Sequence, residues 1–196
     1  MTKRRVEYSF DDGHQLDIKL AEWLMERGLT GTFYIPSNCE LEEQQIKWLA
    51  DKGMTIGGHT VSHPIMRELT YEMQLWEAKN NREWLQEVTG QPVLSFAYPK
   101  GKYDETTIKA VKAAGFAEAR TTNVLSVGDM EDPFRTHTTI HIHPERREYE
   151  GRPLLGVAEE QIKTAGNNTI RVWGHSWEIE RYNLWDEFDQ IVKMLT

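Results

Sequence analysis

"RVEYSFDDGHQLDIKLAEWLMERGLTGTFYIP", residues 5–36, holds the unit whose repetition decides the fold. A β-rich run (5–10) ends on two carboxylates, apolar residues then recur at Leu16, Leu20 and Leu24, Gly28 closes that segment, and a second β-rich run (31–36) follows. Spacing of this kind reads as strand, helix, helix-ending glycine and strand. Further β-rich runs lie at 54–58, 93–99, 116–121, 138–143 and 169–174, which makes seven. Between them, helical periods run through Leu41, Ile46 and Leu49, through Tyr71, Leu75, Ala78, Leu85 and Val88, through Ile108 and Val111, and through Leu184, Phe188, Ile191 and Leu195. Gly53, Gly90 and Gly115 close three of these segments as C-caps do. Seven strand–helix repeats predict an α/β chain whose parallel sheet closes into a TIM-barrel-like barrel, because strands covered on both faces by helices have few other solutions. The stretches 122–137 and 144–153 read as loops.

The 196 residues suit one domain, 1–196, without a linker. A net charge of −8, with both signs mixed along the chain, leaves no basic stripe for nucleic acid. No apolar run reaches the roughly 18 residues of a transmembrane segment. "MTKRRVEYSF" passes from basic residues straight into a strand, so a cytoplasmic location is expected for the chain as given, and an extracytoplasmic one if a leader has been removed. Cys39 is the only cysteine, which excludes an internal disulfide and a multi-cysteine zinc site. The oligomeric state stays open.

Polar stretches follow the strands on one side only: "DDG" (11–13), "HTVSH" (59–63), "KGKYD" (100–104) and "HSWE" (175–178). In a βα barrel the C-terminal strand ends build the active site, so these four converge on one rim. Taken alone, His59 and His63 are more often polar surface or core residues than ligands. Pro64 pushes His63 out of the α region, into an extended or turn conformation, and Thr60 stands where a helical zinc motif needs glutamate. A loop pair therefore takes its third ligand from elsewhere on the rim. Asp11 and Asp12 read either as the acidic start of a helix or as two carboxylates facing a divalent cation, one binding it and the other free as a base.

"SFDDG" (9–13), "GTFYIPS" (31–37), "GGHTVSHP" (57–64), "SFAYPKGKYD" (95–104) and "VWGHSWE" (172–178) together resemble the ordered motifs of the polysaccharide deacetylases, carbohydrate esterase family 4 or NodB-homology domain. The resemblance spans about residues 5–178. It implies a distorted (β/α)7 barrel and a metal-dependent hydrolase that removes N-acetyl groups from N-acetylglucosamine-type sugars and releases acetate. It further implies Asp12, His59 and His63 as metal ligands, Asp11 as general base and His175 as general acid. The implied metal is Zn2+ or another divalent ion such as Co2+, Ni2+ or Mn2+, and the partner is a carbohydrate substrate.

The chain departs from the family pattern twice. Ala97 stands where many members carry an arginine that tunes the catalytic aspartate, and Arg135 reads equally as its substitute or as a surface cation. No "DxxDW"-like motif supplies an acidic partner for the general-acid histidine, which leaves Glu178, Asp129 and Asp132 as candidates. The backbone N–H of Tyr98 or a neighbour is the candidate oxyanion donor. Tyr98, Pro99, Tyr103 and Trp177 are candidate substrate contacts, against a reading of the aromatics as core caps. His14 reads as lining the sugar site or, preferred, as a solvent-facing first-turn residue. His141 and His143 share a strand face, which suggests a second metal, but with no carboxylate in phase they read as packing or as a partner-facing edge. The rival readings are a glycan-binding barrel without turnover, a deacetylase of O-acetyl esters, and one acting on nucleotide- or lipid-linked sugars of surface-polysaccharide synthesis.

Overall fold

In a computed structural model, which describes residues 4–196, every expected strand forms. They are β1 (Val6–Asp11), β2 (Thr32–Ile35), β3 (Thr55–Gly58), β4 (Ser95–Ala97), β5 (Glu118–Arg120), β6 (Ile140–His141) and β7 (Ile170–Gly174). All neighbours pair in parallel, in the order β5-β4-β3-β2-β1-β7-β6. The sheet curls into a distorted (β/α)7 barrel. Its two edges come together where Thr136, just ahead of β6, bridges Arg120 of β5.

The helices are α1 (Asp17–Glu26), α2 (Glu43–Asp51), α3 (Tyr71–Thr89), α4 (Glu105–Ala113), α5 (Leu154–Ala165), α6 (Ser176–Arg181) and α7 (Trp185–Leu195). α7 buries Phe188, Ile191, Val192 and Leu195, one stripe at helical spacing. The Phe188 ring lies 6.1 Å from Phe10 of β1, and Phe10 lies 5.5 Å from Phe33 of β2. Each such side chain contributes about 1.5–3 kcal/mol on leaving water, so these contacts fix helix against sheet. Glycine is required at 57 and 58 because a Cβ there would run into the Tyr34 and Phe116 rings. That close packing sets the end of β3, and with it the position of His59.

Three features differ from the sequence reading. The repeat is not uniform: β5 reaches β6 through a long loop whose only helical turn is Pro133–Arg135, whereas α5 and α6 are helices that the periodicity did not mark. β6 is shorter than 138–143, since the His143 N–H turns back onto the His141 carbonyl at 2.8 Å and leaves the ladder. The buried face of α3 carries Gln74, Glu77, Ala78, Asn81 and Leu85, so the helix is rotated away from the apolar face through Leu75 and Val88. Polar residues won that face because they bond to the loop that follows β3. No helix among the described residues is long and apolar enough to cross a membrane.

Candidate active site

Parallel strands put all their C-terminal ends on one rim, and five strands contribute to the site there. β1 delivers Asp11 and Asp12, the loop after β3 delivers His59 and His63, β5 delivers Arg120, β6 delivers His141, and the β7–α6 junction delivers His175 and Glu178.

Asp12 Oδ1 lies 3.6 Å from His59 Nε2 and 3.4 Å from His63 Nε2. His59 Nδ1 is 2.7 Å from the Ala97 carbonyl, which can only accept, so Nδ1 carries a hydrogen and Nε2 is the ring nitrogen turned toward Asp12. Asp12, His59 and His63 form a donor set that could hold a cation. The spacings match that reading, since two ligands about 2.1 Å from one tetrahedral centre stand about 3.4 Å apart. Burial would raise the Asp12 carboxyl, but the surrounding His59, His175 and His63 imidazoles hold it well below the usual range. Burial, with His59 adding to it, lowers His63.

The backbone is strained at this corner. Asp12, Thr60 and His63 take φ of 85°, 72° and 57°, a left-handed region that costs a non-glycine residue of order 1–3 kcal/mol. His63 is thus outside the right-handed α region that its proline disfavours, in a left-handed and not an extended conformation. Two side chains of α3 hold the loop in place: Asn81 Oδ1 accepts the His59 N–H at 2.8 Å, and Glu77 Oε2 accepts the Val61 and Ser62 N–H groups at 2.8 and 2.9 Å. Neither was anticipated, although their i, i+4 spacing with Ala78 between them is a legible buried stripe.

Asp11 is buried and paired with the Arg120 guanidinium, which also donates to the Thr121 carbonyl at 3.0 Å. Arg120 sits 4.9 Å from both the Tyr34 and Trp173 rings. Arg135 does not fill this place: it bonds Glu105 and, at 3.0 Å, Asp132 on the outer surface. The end of β5 points into the barrel, whereas Arg135 caps a turn outside it. Strand-end position, the rule that singled out the other rim residues, was the signal for Arg120.

His175 Nδ1 lies 2.5 Å from Glu178 Oε2, and its Nε2 lies 3.6 Å from Asp12 Oδ2. Burial lowers His175, yet the Glu178 bond and the Asp11 and Asp12 charges outweigh it, and its net shift is upward. Of the three acidic candidates only Glu178 reaches His175; Asp129 pairs with Arg171 at 2.8 Å, and Asp132 caps the Pro133–Arg135 turn. Beneath the rim, fully buried Asp17 accepts the Ser176 hydroxyl at 2.5 Å.

A family model described as polysaccharide deacetylase matches residues 1–119, more than half of the sequence. The chain belongs to the polysaccharide deacetylase family. This deacetylase-family match includes both aspartates and both rim histidines, and it stops one residue short of Arg120. The chain is 29% identical over 120 residues to the peptidoglycan-N-acetylmuramic acid deacetylase PdaA of Bacillus subtilis, covering 59% of this chain and 46% of that protein. It spans about half the length of the curated relatives it matches. The fold superposes on the family 4 carbohydrate esterase of Streptomyces lividans in complex with acetate, with a TM-score of 0.73 at 16% identity, covering all of this chain and 89% of that one. It also superposes on a CE4 family pseudoenzyme from Bacillus anthracis, with a TM-score of 0.70 at 16% identity, covering 99% and 61%.

The remaining candidates of this deacetylase-family chain divide. Trp177 stays on the rim, its Nε1 3.4 Å from Asp12 Oδ2. With Asp12, His14, Asn38, Glu40 and His63 it lines an open cavity of about 400 Å³. His14 is therefore a wall of this cavity, its Nε2 3.4 Å from Glu40, and not a solvent-facing turn residue. Tyr98 turns inward to donate its hydroxyl to the Phe134 carbonyl, and Tyr103 stacks on it at 4.6 Å, so the two cap the core. The Tyr98 N–H is already donated to the Arg120 carbonyl, and buried Pro99 has none to give, which removes both as oxyanion donors. His141 and His143 prove to have a carboxylate in reach: Glu178 of α6 lies 2.8 Å from His141 and 3.6 Å from His143. Only the folded barrel brings that helix across the strand.

Proposed function

We propose that this chain is a metal-dependent N-deacetylase of N-acetylglucosamine-type sugars that releases acetate. The observation that carries the reading is the corner of Asp12, His59 and His63, whose donor atoms stand at the spacing of ligands to one cation, set between a buried carboxylate and an acid-disposed histidine. A divalent ion held by these three side chains supplies Lewis acidity, which brings a bound water from a pKa of 15.7 to about 7 and polarises a carbonyl. Zinc suits the donor set, and Co2+, Ni2+ or Mn2+ can occupy it.

Asp11, pinned by Arg120, takes the proton of the attacking water. His175 gives the Nε2 proton to the departing amine nitrogen, which cannot leave as an anion. Its Nδ1 is anchored on Glu178, so the ring keeps Nε2 toward Asp12 and the cavity. Trp177, His14, Asn38 and Glu40 give the cavity one aromatic wall and several hydrogen-bonding groups, a combination that suits a pyranose. The amide specificity named in the Bacillus subtilis relative and the acetate bound to the Streptomyces lividans esterase support the same bond class.

The test is acetate release from N-acetylglucosamine oligomers by metal-stripped protein, before and after one equivalent of Zn2+. Acetate that appears only with zinc supports the reading. Zinc uptake without acetate favours the second reading, a barrel that binds glycan without turnover, for which the pseudoenzyme neighbour is the precedent in fold. Retention of both Asp11 and His175 favours the enzyme, because binding alone uses neither a base nor an acid.

A further inference from the structure

Glu178 is shared. Its Oε2 stands 2.5 Å from His175 Nδ1 and 2.8 Å from Nε2 of His141, a residue of β6 outside every family motif quoted above. Burial would raise the Glu178 carboxyl, but the bonds from His141 and His175 bring it down to about 2, so it is a carboxylate and can only accept. Both facing nitrogens therefore carry hydrogen. The cluster is a proton-filled counterpart of the Asp12 corner and not a second metal site: a metal-bound imidazole rests its other N–H on an acceptor, and buried His141 Nδ1 has no partner.

His141 is itself held on several sides. Its ring stacks on Trp173 with centroids 3.9 Å apart and 12° between planes. Its backbone N–H and carbonyl both bond the Tyr149 hydroxyl at 2.8 Å. Glu178, by contrast, is a long side chain near the start of the short helix α6, and a bond to His175 alone would fix only one of its contacts. A donor fixed to the barrel wall adds a second.

We propose that His141 is a positioning residue for the proposed deacetylation: it clamps Glu178 so that Glu178 holds the His175 ring with Nε2 facing the scissile nitrogen. The inference rests on the reading of the chain as a deacetylase. In the step concerned, the C–N bond breaks, its electron pair stays on nitrogen, and the His175 Nε2 proton joins that nitrogen. Glu178 stays a carboxylate, and the hydrogens on His141 Nε2 and His175 Nδ1 stay where they are throughout. An amine needs this proton to leave, whereas 4-nitrophenolate leaves without one, so the clamp matters for an amide and not for an aryl ester.

The experiment compares wild type, His141→Phe and His141→Gln, each loaded with zinc, on N-acetylglucosamine oligomers and on 4-nitrophenyl acetate. Phe keeps a ring against Trp173 and loses the N–H donor; Gln restores a donor. The expected result for His141→Phe is an amide kcat lower by about 10–100-fold, the usual effect of losing a group that orients an active-site ligand. KM, zinc content and aryl-ester turnover stay within about twofold, and His141→Gln recovers much of the amide rate. Full amide activity in His141→Phe overturns the proposal, as does a parallel loss of amide and ester turnover or a failure of Gln to rescue. Wild type that cleaves the ester with zinc but no N-acetyl sugar overturns the deacetylase reading and the proposal with it, a result distinct from the other three.

Discussion

Two corners of the rim are built from the same side chains and do opposite things. At Asp12, His59 and His63 the facing atoms are 3.4–3.6 Å apart, long for a hydrogen bond and at the spacing that ligands of one cation would take. At His141, His175 and Glu178 the facing atoms are 2.5–2.8 Å apart with hydrogen between them. The backbone beneath agrees with the contrast: the first corner takes left-handed φ at Asp12, Thr60 and His63, while His175 sits at φ −125° in ordinary extended geometry. Imidazole and carboxylate together do not separate the two corners; the partner of the far ring nitrogen does. His59 places that nitrogen on a carbonyl, and His141 places it on nothing.

The contrast is most open to challenge through metal binding. His59→Ala should remove both the metal and all measurable acetate release, with zinc titration of wild type ending at one ion per chain; a second tight equivalent would break the distinction between the corners. Asp11→Asn keeps every ligand of the first corner and should retain one zinc while kcat falls by about 10²–10⁴-fold, the usual weight of a general base. Full activity in that variant would remove Asp11 from the role.

Arg120→Leu leaves the Asp11 carboxylate buried without its partner and should lower unfolding stability by about 3–5 kcal/mol, read from urea denaturation. A variant as stable as wild type would show that the pair is not what holds Asp11. Asn81→Ala orphans the His59 N–H and also removes the bonds to the Ile35 carbonyl and the Ser37 hydroxyl after β2, loosening the Asp12 corner. Zinc affinity should fall by about 10–100-fold, as for other groups that hold metal ligands in place, while Glu178 and His175 are untouched.

The last effect depends on pH and is expected beneath the second corner. Complete burial pushes the Asp17 carboxyl up from 3.8 to about 8. Between those values the folded metal-free chain keeps a proton that the unfolded chain has released, so stability falls as pH rises through the window, and Asp17 contributes fully only below it. Asp17→Asn deletes that titration. The urea midpoint of the variant should therefore gain on wild type between about pH 5 and pH 8, and parallel curves would show that Asp17 is ionised in both states.

Much of the molecule was legible because its signals are local. Strand periodicity, helix-ending glycines and the turn imposed by Pro64 depend on neighbours in sequence, and seven strands with their order of polar ends followed from them. The motifs also named Asp11, Asp12, His59, His63 and His175 before any coordinates, since those residues directly follow strands. The partners of these residues were not legible, because they arrive from other elements. Arg120 reaches Asp11 across more than a hundred residues, Asn81 and Glu77 reach the histidine loop from a rotated helix, and His141 meets Glu178 only when β6 closes against β7. Sequence by itself determined which side chains stand at the strand ends, because chain order and pleat put them there. The tertiary structure decided which nitrogen carries a hydrogen and which faces a bare oxygen, because that depends on what lies on the far side of each ring.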